Sequence, residues 1–135
     1  MTYKVLIVDD DNDLRFGLTR RLISLGYDVV QAVDGYQAVA LAVNENPDVV
    51  LLDIGLPAGD GISVLRRFEQ LPALCRTPVV ALTGRDPSTT ESAVREFVGV
   101  SAFLRKPADN DELAAALADA IRGAQPAAIP PGIQA

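Results

Sequence analysis

The sequence predicts an α/β fold built on a parallel β-sheet that helices cover on both faces. Five short apolar runs alternate along the chain with five segments of helical periodicity, an order that is typical of βαβ units. The chain has 135 residues, which suits one domain, and 49% of them are hydrophobic, which is enough to build a core. We therefore expect one doubly wound domain.

Each predicted strand is a compact apolar run bounded by polar residues, glycine or proline. Consecutive Val, Leu and Ile residues are typical of strands that are buried on both faces of a parallel sheet. The second run is more polar than the third, which is the most apolar of the five. The predicted strands cover residues 3–8, 27–32, 48–53, 78–83 and 101–105.

The predicted helices combine apolar residues three or four positions apart with recognisable end signals. Asp11 is interpreted as a helix-start residue that the helix dipole favours, Gly26 as a stop, and Asp109 with Glu112 as a capping box. The apolar stripe of the first helix consists of Leu14, Leu18, Leu22 and Leu25, with Arg15, Arg20 and Arg21 between them. The predicted helices cover residues 13–25, 35–46, 62–68, 87–98 and 110–121.

The end of the chain departs from this pattern. Residues 124–135 carry no charge, hold three of the nine prolines and show no periodicity. We therefore predict a folded domain over residues 1–123 and a flexible C-terminal tail over residues 124–135.

The composition excludes several classes of site. The chain has no histidine and a single cysteine, Cys75, which excludes a His-based catalytic triad, an internal disulfide and an imidazole or thiolate metal site. A net charge of −6 argues against a nucleic-acid groove. The apolar run at residues 5–8 is too short for a signal peptide or a membrane span, so we expect a cytoplasmic protein without membrane contact.

Polar and charged residues collect where the predicted strands end. Because parallel strands end at one edge of the sheet, where α/β proteins bind ligands, these side chains are expected to converge. Clustered carboxylates repel one another; a Mg²⁺ ion relieves the repulsion and leaves room for a phosphoryl group. This indicates phosphoryl transfer, with the carboxylate at the end of the third strand as the candidate nucleophile. The strand-end residues are Asp9, Asp10, Asp53, Thr83 and Lys106.

Four segments of the chain resemble the receiver domain of two-component response regulators. They are VLIVDDD at 5–11, VVLLDIGLPAGDG at 49–61, PVVALTG at 78–84 and FLRKPAD at 103–109. They stand in the family's order and spacing, and the resemblance covers about residues 3–123. It implies a flavodoxin-like (βα)5 fold with strand order 2-1-3-4-5.

The resemblance implies a phosphoacceptor and its metal ligands. Asp53 matches the phosphoacceptor aspartate. Asp9 and Asp10 match the acidic pair, with Asp10 a direct Mg²⁺ ligand and Asp9 acting through water. Asp53 and the backbone carbonyl of Gly55 complete the implied metal site, which could bind Mn²⁺ in place of Mg²⁺.

The resemblance also implies a switch. Thr83 matches the switch hydroxyl, Lys106 the lysine that contacts the phosphoryl group, and Phe103 the aromatic switch position, while Pro107 would follow a cis peptide bond. A histidine kinase or histidine phosphotransfer protein would phosphorylate Asp53. The surface made by the fourth predicted helix, the fifth strand and the fifth predicted helix would then select an output protein.

The implied protein is a signalling switch that catalyses only its own phosphorylation and dephosphorylation. It binds no nucleic acid directly and acts as a monomer or as a phosphorylation-dependent homodimer. Two alternatives remain. A small haloacid-dehalogenase-type phosphatase would use Asp9 as nucleophile, although Asp13 stands where that family expects Thr or Val. A phosphorylation-independent interaction module usually lacks the aspartate, threonine or lysine, and all three are present.

Overall fold

A five-stranded parallel sheet forms the centre of the molecule, and its strand order, 2-1-3-4-5 in chain numbering, is the one that the resemblance to receiver domains implies. A computed structural model of the chain describes residues 2–55, 60–84, 94, 96, 97 and 99–124. The strands are β1 (Lys4–Val8), β2 (Asp28–Ala32), β3 (Val49–Asp53), β4 (Val79–Thr83) and β5 (Val100–Arg105). The first four strands begin one residue later than predicted, and β5 begins one residue earlier. All five strands end at the predicted residue.

Four helices lie within the described residues and connect or follow these strands. They are α1 (Asn12–Ser24), α2 (Gly35–Glu45), α3 (Asp60–Gln70) and α4 (Asn110–Ala124). The last of these is the fifth predicted helix. The prediction for residues 87–98 falls mostly outside the described residues, although Val94 is fully buried. The predicted tail covers residues 124–135, but Ala124 is the last residue of α4, so the prediction is wrong at that residue. Residues 125–135 lie outside the described residues.

Aspartate side chains cap the starts of three helices. Asp11 Oδ1 accepts a hydrogen bond from the Leu14 amide at 3.1 Å, and Asp34 caps α2 in the same way. Asp109 Oδ1 accepts from the amide of Glu112 at 2.8 Å, which is half of the predicted capping box. Because β1 ends only a few residues before α1, the Asp11 cap also fixes the acidic loop between them.

The sheet separates two hydrophobic cores, as a doubly wound fold requires. On one face, buried strand residues such as Leu6 and Leu52 pack against α2 and α3. On the other face, Ile7 and Leu51 pack against α1 and α4. The inward residues predicted for the last helix are confirmed as buried: Leu113, Ala116, Leu117, Ala120 and Ile121.

The apolar stripe predicted for α1 is wrong at two of its positions. Leu18 and Leu22 are buried, but Leu14 is 38% and Leu25 is 41% exposed, while Arg15 is only 5% exposed. Arg15, Leu18 and Leu22 are spaced three and four residues apart, so they share one helical face, and Leu14 and Leu25 lie beside it.

In the described part of the chain, no helix combines the length and the apolar character needed to cross a membrane.

Candidate functional site

The strand register brings the acidic residues of β1 and β3 together. Val8 is paired with Leu52, so the residues that follow them, Asp9 and Asp53, leave the sheet side by side. Carboxylate oxygens of Asp9, Asp10 and Asp53 all lie within 4.8 Å of one another. The cluster sits at the carboxyl edge of the sheet, as the strand-end pattern predicts.

Asp9 is held on its backbone and on its side chain. Its carbonyl accepts a hydrogen bond from Arg15 Nη1 at 2.9 Å, and its Oδ1 accepts from the Asp11 amide at 2.9 Å. The same guanidinium donates to Gln31 Oε1 at 3.0 Å and to Asn12 Oδ1 at 2.7 Å. The three oxygens that accept hydrogen bonds from Arg15 are all uncharged. The positive charge of its guanidinium therefore adds to the electrostatic potential beside Asp9.

Lys106 reaches the cluster from the other side. Its Nζ lies 3.0 Å from Asp9 Oδ2 and 3.2 Å from Asp53 Oδ2, and its side chain is only 16% exposed. Its backbone amide donates to the Thr83 carbonyl at 2.7 Å, which fixes the lysine to the end of β4. The peptide bond between Lys106 and Pro107 is cis.

Burial and the neighbouring charges together shift the pKa values of Asp53 and Lys106. Burial raises the pKa of Asp53, the amide of Gly55 and the ammonium of Lys106 counteract that effect, and Asp9 reinforces it. For Lys106, burial by itself lowers the pKa, but the hydrogen bond to Asp9 and the attraction of Asp53 outweigh burial and leave the pKa raised. The ammonium of Lys106 therefore does not fully offset the burial of Asp53 and its repulsion from Asp9.

Gly55 contacts the central carboxylate through its backbone. Its amide donates to Asp53 Oδ1 at 2.9 Å. A Cβ atom at this position would lie 3.3 Å from the same oxygen, so a larger residue would border the carboxylate directly. The predicted role of the Gly55 carbonyl as a metal ligand stays a prediction.

Thr83 and Phe103 occupy the neighbouring strands. Asp53 is paired with Leu82, so Thr83 lies one residue further towards the site, and it is 4% exposed. Phe103 is paired with Ala81 and packs, partly buried, on the core face that also holds α2 and α3. The switch roles predicted for both residues stay predictions.

The donor set fits a hard divalent cation. It consists of carboxylate oxygens, which Mg²⁺ prefers. Burial raises the pKa of Asp53, and a cation beside it would favour its charged form. The exposed position of Asp10 keeps one side of the cluster open.

In Mg²⁺-free buffer at neutral pH we expect Asp53→Asn to be more stable than wild type, by about 1–2 kcal/mol, because the variant no longer buries a charged carboxylate and is no longer repelled by Asp9. The folded-state pKa of Asp53 is raised, so the folded protein binds this proton more tightly and wild-type stability falls as the pH rises through that pKa. The variant lacks this titration, so its advantage should shrink at lower pH. Urea denaturation in EDTA at several pH values measures both effects. Equal stability at neutral pH would contradict a net destabilising effect of the Asp53 charge.

Two arginines of α1 were missed as contributors to the site. The sequence places Arg15 and Arg21 between the leucines of the stripe, yet Arg15 holds Asp9, and Arg21 donates to the Ala108 carbonyl in the loop after Lys106. The available signal for Arg15 is its spacing from Leu18 and Leu22. Nothing local in the sequence marks Arg21, because its partner is 87 residues away.

Fold and cluster together define the class: a flavodoxin-like α/β domain with an acidic site at the carboxyl edge of its sheet. The family model of the response regulator receiver domain matches residues 5–118. The chain therefore belongs to the response regulator receiver domain family of two-component signalling. Receiver domains are signalling switches and in general bind Mg²⁺, which agrees with the acidic cluster.

Individual relatives agree with this assignment. Response regulator MprA from Mycobacterium sp. (strain KMS) is 36% identical over 126 residues, which are 93% of this chain and 54% of the relative. This chain thus spans about half the length of that protein.

Solved structures agree as well. The signal receiver domain of an HD domain-containing protein from Pseudomonas fluorescens Pf-5 is 27% identical with a TM-score of 0.83, over 92% of this chain and 98% of that chain. Vibrio cholerae chemotaxis protein CheY4 is 26% identical with a TM-score of 0.80, over 87% of this chain and 98% of that chain.

Proposed function

We propose that this receiver domain accepts a phosphoryl group on Asp53 in a Mg²⁺-dependent reaction. The observation that carries the proposal is the arrangement around Asp53: Lys106 Nζ is 3.2 Å from its Oδ2, and Asp9 and Asp10 place carboxylate oxygens within 4.8 Å. A nucleophilic carboxylate, an ammonium for the transferred oxygens and a divalent-cation site are the parts that phosphoryl transfer needs.

In the proposed reaction, Asp53 attacks the phosphorus of a phosphohistidine on the partner. The new O–P bond forms as the N–P bond breaks, and the departing imidazole takes up a proton. The Gly55 amide holds one carboxylate oxygen in place, and Lys106 and Thr83 receive the transferred phosphoryl oxygens. Asp9, Asp10, Asp53 and the Gly55 carbonyl would hold Mg²⁺, which when bound neutralises charge on those oxygens.

The phosphorylated state is proposed to change a binding surface. Contacts of Lys106 and Thr83 with the phosphoryl group would move the ends of β4 and β5, and Phe103 would repack behind Thr83. Such a change shifts the population of two conformations and selects an output partner. A histidine kinase or phosphotransfer protein as donor, a cytoplasmic location and a homodimer on phosphorylation belong to the same proposal.

The test is intact mass after incubation with acetyl phosphate, with and without Mg²⁺. Wild type is expected to gain one phosphoryl group only when Mg²⁺ is present, and Asp53→Asn is expected to gain none. Asp10→Asn is the matched control, because it makes the same substitution at a neighbouring aspartate and keeps the nucleophile. It loses a proposed cation ligand, so its labelling should need a higher Mg²⁺ concentration. Labelling of Asp53→Asn equal to wild type would overturn the proposal.

The phosphatase alternative requires Asp9 as nucleophile. Asp9 is 1% exposed, its Oδ1 accepts from the Asp11 amide and its Oδ2 pairs with Lys106. Asp53 is held in much the same way, since its Oδ1 accepts from the Gly55 amide and its Oδ2 lies beside Lys106. The preference for Asp53 therefore rests on the match of residues 5–118 to the receiver family.

A further inference from the structure

Arg21, in the last turn of α1, connects that helix to the segment that carries Lys106. Its Nη2 donates to the Ala108 carbonyl and its Nε donates to Asn110 Oδ1, both at 2.6 Å. Ala108 lies two residues after Lys106, and Asn110 is the first residue of α4. The half-buried Arg21 guanidinium therefore binds the loop of residues 106–110 at two points, the backbone of Ala108 and the side chain of Asn110.

The loop is anchored at each end and in its middle. Upstream, the Lys106 amide donates to the Thr83 carbonyl at 2.7 Å. In the middle, the Ala108 side chain is 7% exposed and packs with Leu18 in the core against α1. Downstream, the only anchor described for the Asn110 side chain is Arg21. Of these anchors, only Arg21 uses side-chain hydrogen bonds, so it can be removed without altering the strands or the core.

Mg²⁺ and phosphoryl contacts depend on different parts of the chain. The carboxylates of the cluster follow β1 and β3, whereas the ammonium that would meet a phosphoryl oxygen follows β5. A small movement of the Lys106–Asn110 loop would shift that ammonium and leave the carboxylates in place. Misplacement of a group by about 1 Å is enough to lose a large part of its effect on a transferred group.

We propose that Arg21 is a positioning residue for Lys106, which fixes the ammonium against Asp53 by holding the loop from α1. The inference rests on the proposed phosphoacceptor function. If Arg21 only linked α1 to α4, its loss would reduce stability alone. A positioning role predicts weaker phosphoryl recognition without a matching loss of stability or of cation affinity.

The experiment uses the full chain with two probes: MgCl₂ alone, and beryllofluoride at saturating Mg²⁺ as a stand-in for the phosphoryl group. Affinities come from calorimetry, the ¹⁹F spectrum reports the fluoride nearest the lysine, and urea denaturation reports folding. The variants are Arg21→Met, which keeps the aliphatic stem, and Asn110→Asp, which keeps an acceptor for Arg21. Arg20→Met is the matched control, because Arg20 is the exposed neighbour on the same helix.

Arg21→Met is expected to weaken beryllofluoride binding about tenfold and to shift one ¹⁹F resonance. Its Mg²⁺ affinity should be equal to or higher than that of wild type, because a displaced Lys106 competes less for the carboxylates. Asn110→Asp and Arg20→Met should both retain wild-type beryllofluoride affinity. The inference is overturned if Arg21→Met binds beryllofluoride as wild type does, or if its Mg²⁺ and beryllofluoride affinities fall together. A wild type that binds Mg²⁺ but no beryllofluoride would instead overturn the proposed function on which the inference rests.

Discussion

Replacing Lys106 with methionine should reduce labelling by acetyl phosphate about 100-fold, because the ammonium next to Asp53 is the charged donor aimed at the transferred oxygens. The same change leaves Asp9 and Asp53 buried without their shared cation, so the metal-free protein should lose about 2–4 kcal/mol of stability. Mg²⁺ affinity should rise, since Lys106 no longer competes for the two carboxylates. Initial labelling rates, urea denaturation in EDTA and Mg²⁺ titration measure the three effects.

Lys4→Met is the matched control for this variant. Lys4 also pairs with a carboxylate, Glu45, at 3.0 Å, but these side chains are 32% and 43% exposed. The pair lies near the start of β1, away from the acidic cluster. It should change stability by less than about 1 kcal/mol and leave labelling unchanged. If Lys106→Met were labelled as fast as Lys4→Met, the assignment of Lys106 to the phosphoryl group would be wrong.

Arg15→Met should destabilise the fold by about 2–4 kcal/mol, because the buried Asp9 carbonyl loses its charged donor and the oxygens of Gln31 and Asn12 lose theirs. The methionine replaces the aliphatic stem but offers no hydrogen bond. The Asp9 carbonyl then loses its anchor, while the Asp9 amide still donates to the Ala32 carbonyl, so Mg²⁺ affinity should also fall. Urea denaturation with and without Mg²⁺ separates the two effects.

Arg20→Met controls for the loss of one positive charge on α1. It is exposed and should change stability by less than about 0.5 kcal/mol. Arg15→Lys keeps the charge, but its single ammonium cannot reach all three acceptors, so we expect only partial recovery. Full recovery by lysine would show that the charge of Arg15 matters and that its hydrogen-bond geometry does not.

The fold could be predicted from the sequence because its signals are local and repeated. Uninterrupted apolar runs such as Val49–Leu52 belong to strands with no polar face, and caps such as Asp109 mark helix starts. The stripe of α1 could not be placed correctly from its leucines alone. Leu14 and Leu18 are four apart, but only the face shared by Leu18 and Leu22 meets the sheet, and Arg15 completes it.

The site could be predicted in part. Strand ends converge in any parallel sheet, which is why Asp9 and Asp53 were expected together and are found together. Lys106 was expected at the same edge for the same reason, but the ion pairs that it forms with both carboxylates depend on a loop path that no local pattern encodes. The same is true of Arg21, whose partners lie 87 and 89 residues away. Contacts of this kind are set by tertiary packing, so they become visible only in three dimensions.

The most direct test of the central claim locates the phosphoryl group on the chain. Protein labelled by acetyl phosphate with Mg²⁺ is reduced with borohydride, which converts an aspartyl phosphate into homoserine, and the peptides are sequenced by tandem mass spectrometry. The account predicts homoserine at position 53 in wild type and none when Mg²⁺ is withheld. Homoserine at position 9, with Asp53 intact, would contradict it and assign the chemistry to Asp9.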